Sequence, residues 1–227
     1  MGEMIEFPSN GTNGEGYLAT PAGGSGPGGV VIQEWWGLVD HIKDVCERFA
    51  SEGFVALAPD LYHGRKVAEP DEAAKAMMAM QLDKAAKDMS GAIDAANARS
   101  TGEGVGVVGF CMGGGLALVL AAQRNDAVKA VVPFYGAIPW EGVQPDYASI
   151  TGAVLGHYAA NDEWANPEVA GQLERQLKES GNGDVTVHIY PGTDHAFFND
   201  TRPEVYAEEA SRLAWGRTIE FLRSRLG

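Results

Sequence analysis

The sequence contains only two cysteines, Cys46 and Cys111, among its 227 residues. Two cysteines do not make the disulfide framework typical of small secreted proteins. The sequence also lacks a CxxC motif and any Cys/His cluster with the spacing of metal ligands, so we expect no metal site. A reduced, intracellular protein with free thiols is the simplest interpretation.

Basic side chains are scarce, with 17 Lys and Arg against 31 Asp and Glu, which gives a net charge of −14. Nucleic acids and anionic membranes bind basic surfaces, so we expect neither as a partner. Residues 1–6 include two acids where a secretion signal needs a basic region followed by an apolar one, which favours a cytoplasmic location. The long uncharged stretch at residues 105–122 contains five glycines, which disfavours a membrane-spanning helix.

The length and the 45% content of hydrophobic residues suit a single domain covering residues 1–227. Apolar strands alternate with amphipathic helices, which predicts an α/β fold with a mainly parallel central sheet and helices on both faces. Besides a strand and a helix flanking Cys111, strands are expected at 16–20, 30–34, 53–60, 128–135, 152–158 and 185–190. Helices are expected at 41–51 after an Asp40 N-cap, at 71–99 with a bend near Ser90 and Gly91, at 167–180 and at 203–225.

Cys111 lies in the pattern Gly109-x-Cys111-x-Gly113, a nucleophile elbow with Cys in place of Ser. The nucleophile of an elbow occupies a strained backbone conformation, and its neighbours two residues away must lack side chains so that strand and helix can pass closely. The N–H of Met112, at the start of the following helix, is then a candidate oxyanion donor. A buried, inert cysteine in an α/β turn is the alternative interpretation.

A cysteine nucleophile needs a base, and the base needs an orienting acid. In the α/β-hydrolase order these follow the nucleophile as acid and then histidine, each after a later strand. Asp162 and His195 occupy those loop positions, and we prefer Asp162 to its competitors Glu163 and Asp194. We expect the other histidines to be ordinary, with His41 and His63 at the surface and His157 and His188 within strands.

Glu34 is unusual because it ends a strand that is predicted to be buried. Burial of an acid is costly unless the acid is paired or functional. The N–H of the next residue, Trp35, is a suitable second oxyanion donor. A solvent-exposed acid at a strand end is the alternative.

Several motifs, in order along nearly the whole chain, resemble those of the dienelactone hydrolase family of α/β-hydrolases. They are the QEWWG segment at residues 33–37, PDLY at 59–62, GFCMGG at 109–114, FYG at 134–136 and HAF at 195–197. The resemblance implies a catalytic triad of Cys111, Asp162 and His195 and an oxyanion hole formed by the N–H groups of Trp35 and Met112. It also implies that Glu34 contacts the thiol and helps to generate the thiolate, that the substrate is a small ester or lactone cleaved through a thioester, and that no cofactor is needed.

The sequence departs from this family at a position that sets substrate specificity. In members that cleave dienelactone, arginines hold the substrate carboxylate, and one of them follows the catalytic histidine by four residues. Asn199 stands at that position here. A less acidic ester or lactone is equally consistent, and the expected pocket residues are Trp36, Phe110, Tyr135, Phe198 and Asn199, beside Trp35. Most of the methionines between residues 77 and 89 are expected to pack in a core.

The leading hypothesis is therefore a cysteine hydrolase of carboxylic esters or lactones, either monomeric or homodimeric. One alternative is an esterase or thioesterase acting on unrelated small acyl substrates. A glutamine amidotransferase or cysteine peptidase can use the same elbow, although a glutaminase would favour H-x-E where His195-Ala196-Phe197 stands. The last alternative is a non-catalytic ligand-binding or redox-sensing protein in which Cys111 is the switch.

Overall fold

The computed structural model describes residues 2–227, whose eight strands form one sheet in the order β1-β2-β4-β3-β5-β6-β7-β8. The first two strands pair antiparallel, and β2 also pairs antiparallel with β4, whereas all pairs from β4 across to β8 are parallel. The strands are β1 (Glu3–Ser9), β2 (Thr12–Ala19), β3 (Gly28–Ile32), β4 (Val55–Pro59), β5 (Val105–Phe110), β6 (Val128–Phe134), β7 (Ala153–Ala159) and β8 (Val185–Tyr190). The mainly parallel sheet that was predicted is confirmed.

Residues 2–227 form six helices, and helices lie on both faces of the sheet, as expected. They are α1 (Asp40–Ser51), α2 (Pro70–Met78), α3 (Leu82–Asn97), α4 (Met112–Gln123), α5 (Pro167–Glu179) and α6 (Glu208–Leu226). Helices α1 and α6 share one face, where Phe49 packs against Trp215, while α3, α4 and α5 pack on the other. Among residues 2–227, no helix is both long enough and apolar enough to span a membrane.

The sheet brings the predicted site residues to one edge. Strands β3, β5, β7 and β8 all run in the same direction, so the loops that follow them meet at their carboxyl ends. The chain order also reverses between β3 and β5, and open α/β sheets bind ligands at such a switch point. Glu34, Cys111, Asp162 and His195 come directly after these four strands.

The single bent helix predicted for residues 71–99 is wrong. The chain forms two helices, and the break falls at residues 79–81, where Gln81 takes an extended conformation. Helix α3 continues through Ser90 and Gly91. Gly91 instead allows close packing, since a Cβ atom there would lie 3.1 Å from the Cα atom of Ser9 on β1.

Other boundaries also differ from those predicted. The edge strand β1 was missed, and the last helix begins at Glu208 rather than Pro203. The N-cap of α1 is Val39, and Asp40 is already the first helical residue and makes no capping hydrogen bond. The prediction that most of these methionines pack in a core is confirmed for Met89, which is fully buried, whereas Met78 is 58% exposed.

Candidate active site

Cys111 occupies the sharp turn between β5 and α4 with φ 56° and ψ −122°, outside the conformations that most residues adopt. Its N–H donates a hydrogen bond to the Phe134 carbonyl at 3.1 Å, which fixes the turn to β6. A Cβ atom on Gly109 would collide with the backbone of Gly113, and one on Gly113 would lie 2.5 Å from the Ile32 carbonyl oxygen. The steric requirement predicted for the two glycines of the elbow is confirmed.

Asp162 and His195 contact each other across the loops that follow β7 and β8. The Nδ1 atom of His195 lies 2.6 Å from Oδ2 of Asp162. The other carboxylate oxygen accepts hydrogen bonds from the backbone N–H groups of Trp164 at 2.8 Å and Ala165 at 2.9 Å. Burial raises the pKa of Asp162, but the bonds and charge of His195 together with these N–H groups outweigh burial and lower it. The competitors Glu163 and Asp194 are exposed.

Asp162 contacts only Nδ1 of His195, so the second ring nitrogen is not engaged by the acid. Nε2 is buried and makes no well-formed hydrogen bond within residues 2–227. Burial lowers the pKa of His195, but its interactions with Asp162 and Cys111 overcome this and raise the pKa to about 10. The imidazole therefore interacts with the acid on one side and the thiol on the other.

Two aromatic side chains hold the imidazole ring in place. Trp164 meets it edge to face with the ring centroids 5.1 Å apart, and Tyr135 lies at 5.0 Å. Trp164 therefore has two roles, since its N–H orients Asp162 and its indole packs on His195. Sequence reasoning missed this residue, although its place two positions after Asp162 was a usable signal.

The N–H groups of Trp35 and Met112 donate no hydrogen bond to any group within residues 2–227. Met112 is the first residue of α4, so its N–H belongs to the unpaired first turn of the helix and carries the positive end of the helix dipole. Trp35 follows the end of β3 and, like Met112, lines a cavity beside Cys111. Both groups are therefore available to an oxyanion.

Glu34 is buried and only 1% exposed. Its Oε1 accepts a hydrogen bond from the Tyr135 hydroxyl at 3.3 Å, and its Oε2 accepts one from Asn199 Nδ2 at 2.7 Å. The contact with the thiol that the resemblance implied is not formed as a hydrogen bond, because these two donors hold the carboxylate. The alternative of a solvent-exposed acid is wrong.

Two cavities meet at Cys111 and His195. The smaller has a volume of about 370 Å³, and the larger about 660 Å³. Trp35, Trp164, Pro70 and Glu163 line both of them. The smaller adds mainly polar residues, which are Glu34, Trp36, Asn161, Asp194, Ala196, Arg202 and Val205. The larger adds mainly apolar ones, which are Ala74, Met77, Met112, Ala137, Ile138 and Pro139, together with Asp71.

The expected pocket residues divide into two groups. Trp36 lines the smaller cavity, as predicted. Phe110, Tyr135 and Phe198 line neither cavity, because they are fully buried in an aromatic cluster behind the elbow, where Phe110 stacks on Phe198 at 5.4 Å. Asn199 is also buried, and its amide is used by Glu34. These four residues support the site rather than form the walls of the pocket.

The remaining histidines were predicted with mixed success. His157 is a satisfied core residue, bonded to the Tyr190 hydroxyl at 2.9 Å and Thr218 at 3.0 Å. His41 is not a surface residue, because it is 3% exposed and its Nδ1 lies 3.3 Å from Asp200.

Within residues 2–227 no group of three or more His, Cys, Asp or Glu side chains is arranged to hold a metal ion.

An eight-stranded, mostly parallel sheet with a cysteine elbow, followed by an acid and a histidine in hydrogen-bond contact, defines an enzyme of the α/β-hydrolase class. The model of the dienelactone hydrolase family matches residues 15–226, and the chain belongs to that family. The protein usf of Aquifex pyrophilus is 39% identical over the full length of both chains. A putative carboxymethylenebutenolidase of Aquifex aeolicus is 36% identical, also over both full lengths.

Solved structures agree with this assignment. A putative dienelactone hydrolase from Klebsiella pneumoniae subsp. pneumoniae shares 26% identity with a TM-score of 0.87, and the match covers 98% of each chain. The fold of the whole chain is therefore that of its family.

Proposed function

We propose that this protein hydrolyses carboxylic esters or lactones through a thioester on Cys111. The observation that carries the proposal is the 2.6 Å contact of His195 with Asp162 at the carboxyl edge of the sheet, beside cavities that His195 and Cys111 both line. A thiol with a pKa of about 8.5 is mostly protonated at neutral pH and needs such a base. The family match supports the reaction class.

In the first half of the reaction, the proton of the Cys111 thiol moves to Nε2 of His195, and the sulfur attacks the substrate carbonyl carbon. The raised pKa of His195 belongs to the ring that holds this proton between Asp162 and the sulfur. The new C–S bond places negative charge on the carbonyl oxygen, and the unpaired N–H groups of Trp35 and Met112 stabilise it. The intermediate collapses by breaking the bond to the alcohol oxygen. That oxygen takes the proton from His195, leaving an acyl thioester on the enzyme.

In the second half, His195 accepts a proton from a water molecule as the water oxygen attacks the thioester carbon. The same two N–H groups hold the second oxyanion. When the C–S bond breaks, sulfur leaves and regains the proton from His195, which releases the carboxylic acid and restores the thiol. Asp162 holds the ring in the orientation and tautomer that both steps require.

Glu34 lines the smaller cavity, and the resemblance implies that it assists thiolate formation. Such a role requires the carboxylate to exchange its bonds with Tyr135 and Asn199 for one with the thiol. We propose that substrate entering the cavity displaces Glu34 in this way, since the carboxylate borders the space that substrate must occupy.

The cavity walls favour an uncharged ester or lactone. Among residues 2–227 no Lys or Arg lines the larger cavity, which carries Asp71 and shares Glu163 with the smaller one, and Asp194 lines the smaller one. The smaller cavity carries Arg202, which is paired with Glu204 at 2.8 Å. A relative is described as a putative carboxymethylenebutenolidase, which supports lactones as one substrate group, while Asn199 occupies the position of an expected arginine.

The test is turnover of p-nitrophenyl acetate by wild type, Cys111→Ala and Cys46→Ala. We expect Cys111→Ala to lose nearly all activity and Cys46→Ala to keep it, because Cys46 is fully buried and burial raises the pKa of its thiol. Equal rates for wild type and Cys111→Ala would refute the proposal. Labelling of Cys111 by iodoacetamide without activity on a broad ester and lactone panel would instead favour the redox-sensing alternative.

The proposal also includes that the protein is a single domain that acts in the cytoplasm as a monomer or homodimer.

A further inference from the structure

Three of the five tryptophans of the chain line the smaller active-site cavity, whose volume is about 370 Å³. Of the two active-site cavities, Trp36 lines only this one, whereas Trp35 and Trp164 line both. The ring centroids of Trp35 and Trp36 lie 5.1 Å apart with an angle of 68° between the ring planes, and those of Trp35 and Trp164 lie 6.1 Å apart with an angle of 61°. Because the planes are steeply inclined, the three indoles form separate walls rather than one flat surface.

These indoles are accessible to a ligand. Trp35 and Trp36 are half-buried, and Trp164 is 59% exposed. Exposed large apolar side chains that line a concave site are typical of a ligand-binding surface. The guanidinium carbon of Arg202 lies 5.6 Å from the ring centroid of Trp36, and its charge is paired with Glu204. The guanidinium therefore adds a further planar group to this wall.

The surroundings of His195 indicate which half of an ester the smaller cavity takes. In the proposed mechanism the alcohol oxygen receives its proton from His195. The two chain neighbours of this histidine, Asp194 and Ala196, line the smaller cavity and not the larger one. Met112, whose N–H is a proposed oxyanion donor, lines the larger cavity and not the smaller one. The alcohol group therefore extends into the smaller cavity, and the acyl group extends into the larger, apolar one.

We propose, on the basis of the hydrolase function proposed above, that the smaller cavity selects esters whose alcohol group is aromatic, and that Trp36 determines this preference. Aromatic rings attract one another in offset-stacked and edge-to-face arrangements, so an aromatic alcohol gains more from indole walls than a saturated ring of similar size does. The carboxylates of Glu163 and Asp194 line the same cavity and disfavour an anionic alcohol group. The preferred substrate is thus an uncharged ester of an aromatic alcohol.

The test compares kcat/KM for benzyl acetate with kcat/KM for cyclohexylmethyl acetate, because this parameter reports the acylation half, in which the alcohol group is still present. We expect wild type to prefer the benzyl ester by about three- to tenfold. Trp36→Phe should keep this preference, whereas Trp36→Leu should lower it by about twofold or more. Both substitutions shorten the side chain, so the comparison isolates the aromatic ring. Met77→Ala, which changes only the larger cavity, is the control and should leave the ratio unchanged.

A second pair of esters, methyl phenylacetate and methyl cyclohexylacetate, carries the same two rings on the acyl side. We expect Trp36→Leu to leave the ratio of kcat/KM for this pair unchanged, and a change here instead of in the alcohol pair would overturn the assignment of the cavity. Equal ratios in Trp36→Phe and Trp36→Leu would overturn the role of Trp36. A ratio near one for the two acetates in wild type, with turnover that depends on Cys111, would overturn the inference and leave the hydrolase function standing. Absence of turnover of every ester by wild type would refute both.

Discussion

His195 Nδ1 and Asp162 Oδ2 lie 2.6 Å apart, and the other oxygen of that carboxylate is held by two backbone N–H groups at 2.8 and 2.9 Å. The backbone of its own loop thus fixes Asp162, and Asp162 in turn orients His195. Because Nδ1 is committed to Asp162, Nε2 is the ring nitrogen that exchanges a proton with Cys111 in the proposed mechanism. The two loops that follow β7 and β8 would thus set the direction of that proton transfer.

Asp162→Asn is expected to lower kcat for p-nitrophenyl acetate by about 10²–10⁴-fold, because an amide cannot hold the imidazolium by charge and favours the wrong tautomer. The substitution keeps the shape of the side chain, so the fold should persist. Asp83→Asn, a carboxylate on the exposed side of α3, is the matched control. A loss of less than threefold in Asp162→Asn, with the control unaffected, would remove Asp162 from the mechanism.

The pKa of His195 predicts how stability depends on pH. The folded-state pKa is raised to about 10 from an unfolded value near 6.5, so the protonated ring stabilises the fold fully below about pH 6.5. That contribution falls as the pH rises from about 6.5 to about 10. The Tm difference between wild type and His195→Gln should therefore be largest near pH 6 and shrink by pH 10. A difference that grew with pH would reverse the sign of this linkage.

The elbow glycines make a packing prediction. Gly113→Ala should destabilise the protein by about 3 kcal/mol or abolish folding, because its methyl group would collide with the carbonyls of Ile32 and Gln33, which are backbone atoms and cannot rotate away. Gly216→Ala, in exposed α6 with no atom within 4 Å of a Cβ, should stabilise by about 0.5–1 kcal/mol. Urea denaturation of both variants measures the contrast. Equal stability of the two would contradict the steric account of the elbow.

The positions of the catalytic candidates could be predicted from sequence because each follows a strongly apolar strand, and parallel strands place their carboxyl ends together. The aromatic residues could not be assigned in the same way. Phe110 and Phe198 suit a core and a ligand pocket equally well by composition, and only the packing shows that they stack on each other beneath the elbow.

The break between α2 and α3 could not be predicted from helix propensity. Residues 79–81 are Ala, Met and Gln, all good helix formers, so nothing in them signals the break that separates α2 from α3. Helix α2, before this break, carries Ala74 and Met77, which line the larger cavity. The burial of His41 could not be predicted from its neighbours either, because its contact is with Asp200, which is distant in sequence.

The apolar wall predicts substrate preference. Met77→Arg should lower kcat/KM for p-nitrophenyl butyrate by about tenfold and lower that for the acetate less, because a charged side chain both fills the larger cavity and brings a charge into an apolar space. Met78→Arg is the matched control on the same helix, since Met78 is exposed and lines neither active-site cavity. Equal losses for the two esters, or an equal effect of the control, would remove this cavity from substrate binding.

The central claim is that Cys111 carries the acyl group, and trapping that intermediate tests it most directly. Wild-type protein mixed with p-nitrophenyl acetate and quenched in acid within the first turnover is digested and mapped by mass spectrometry. The account predicts one acetyl group on the peptide containing Cys111, removable by hydroxylamine as a thioester is, and none on Cys46. Turnover with no acetyl group on Cys111, or acetylation of another residue that disappears at the turnover rate, would contradict it.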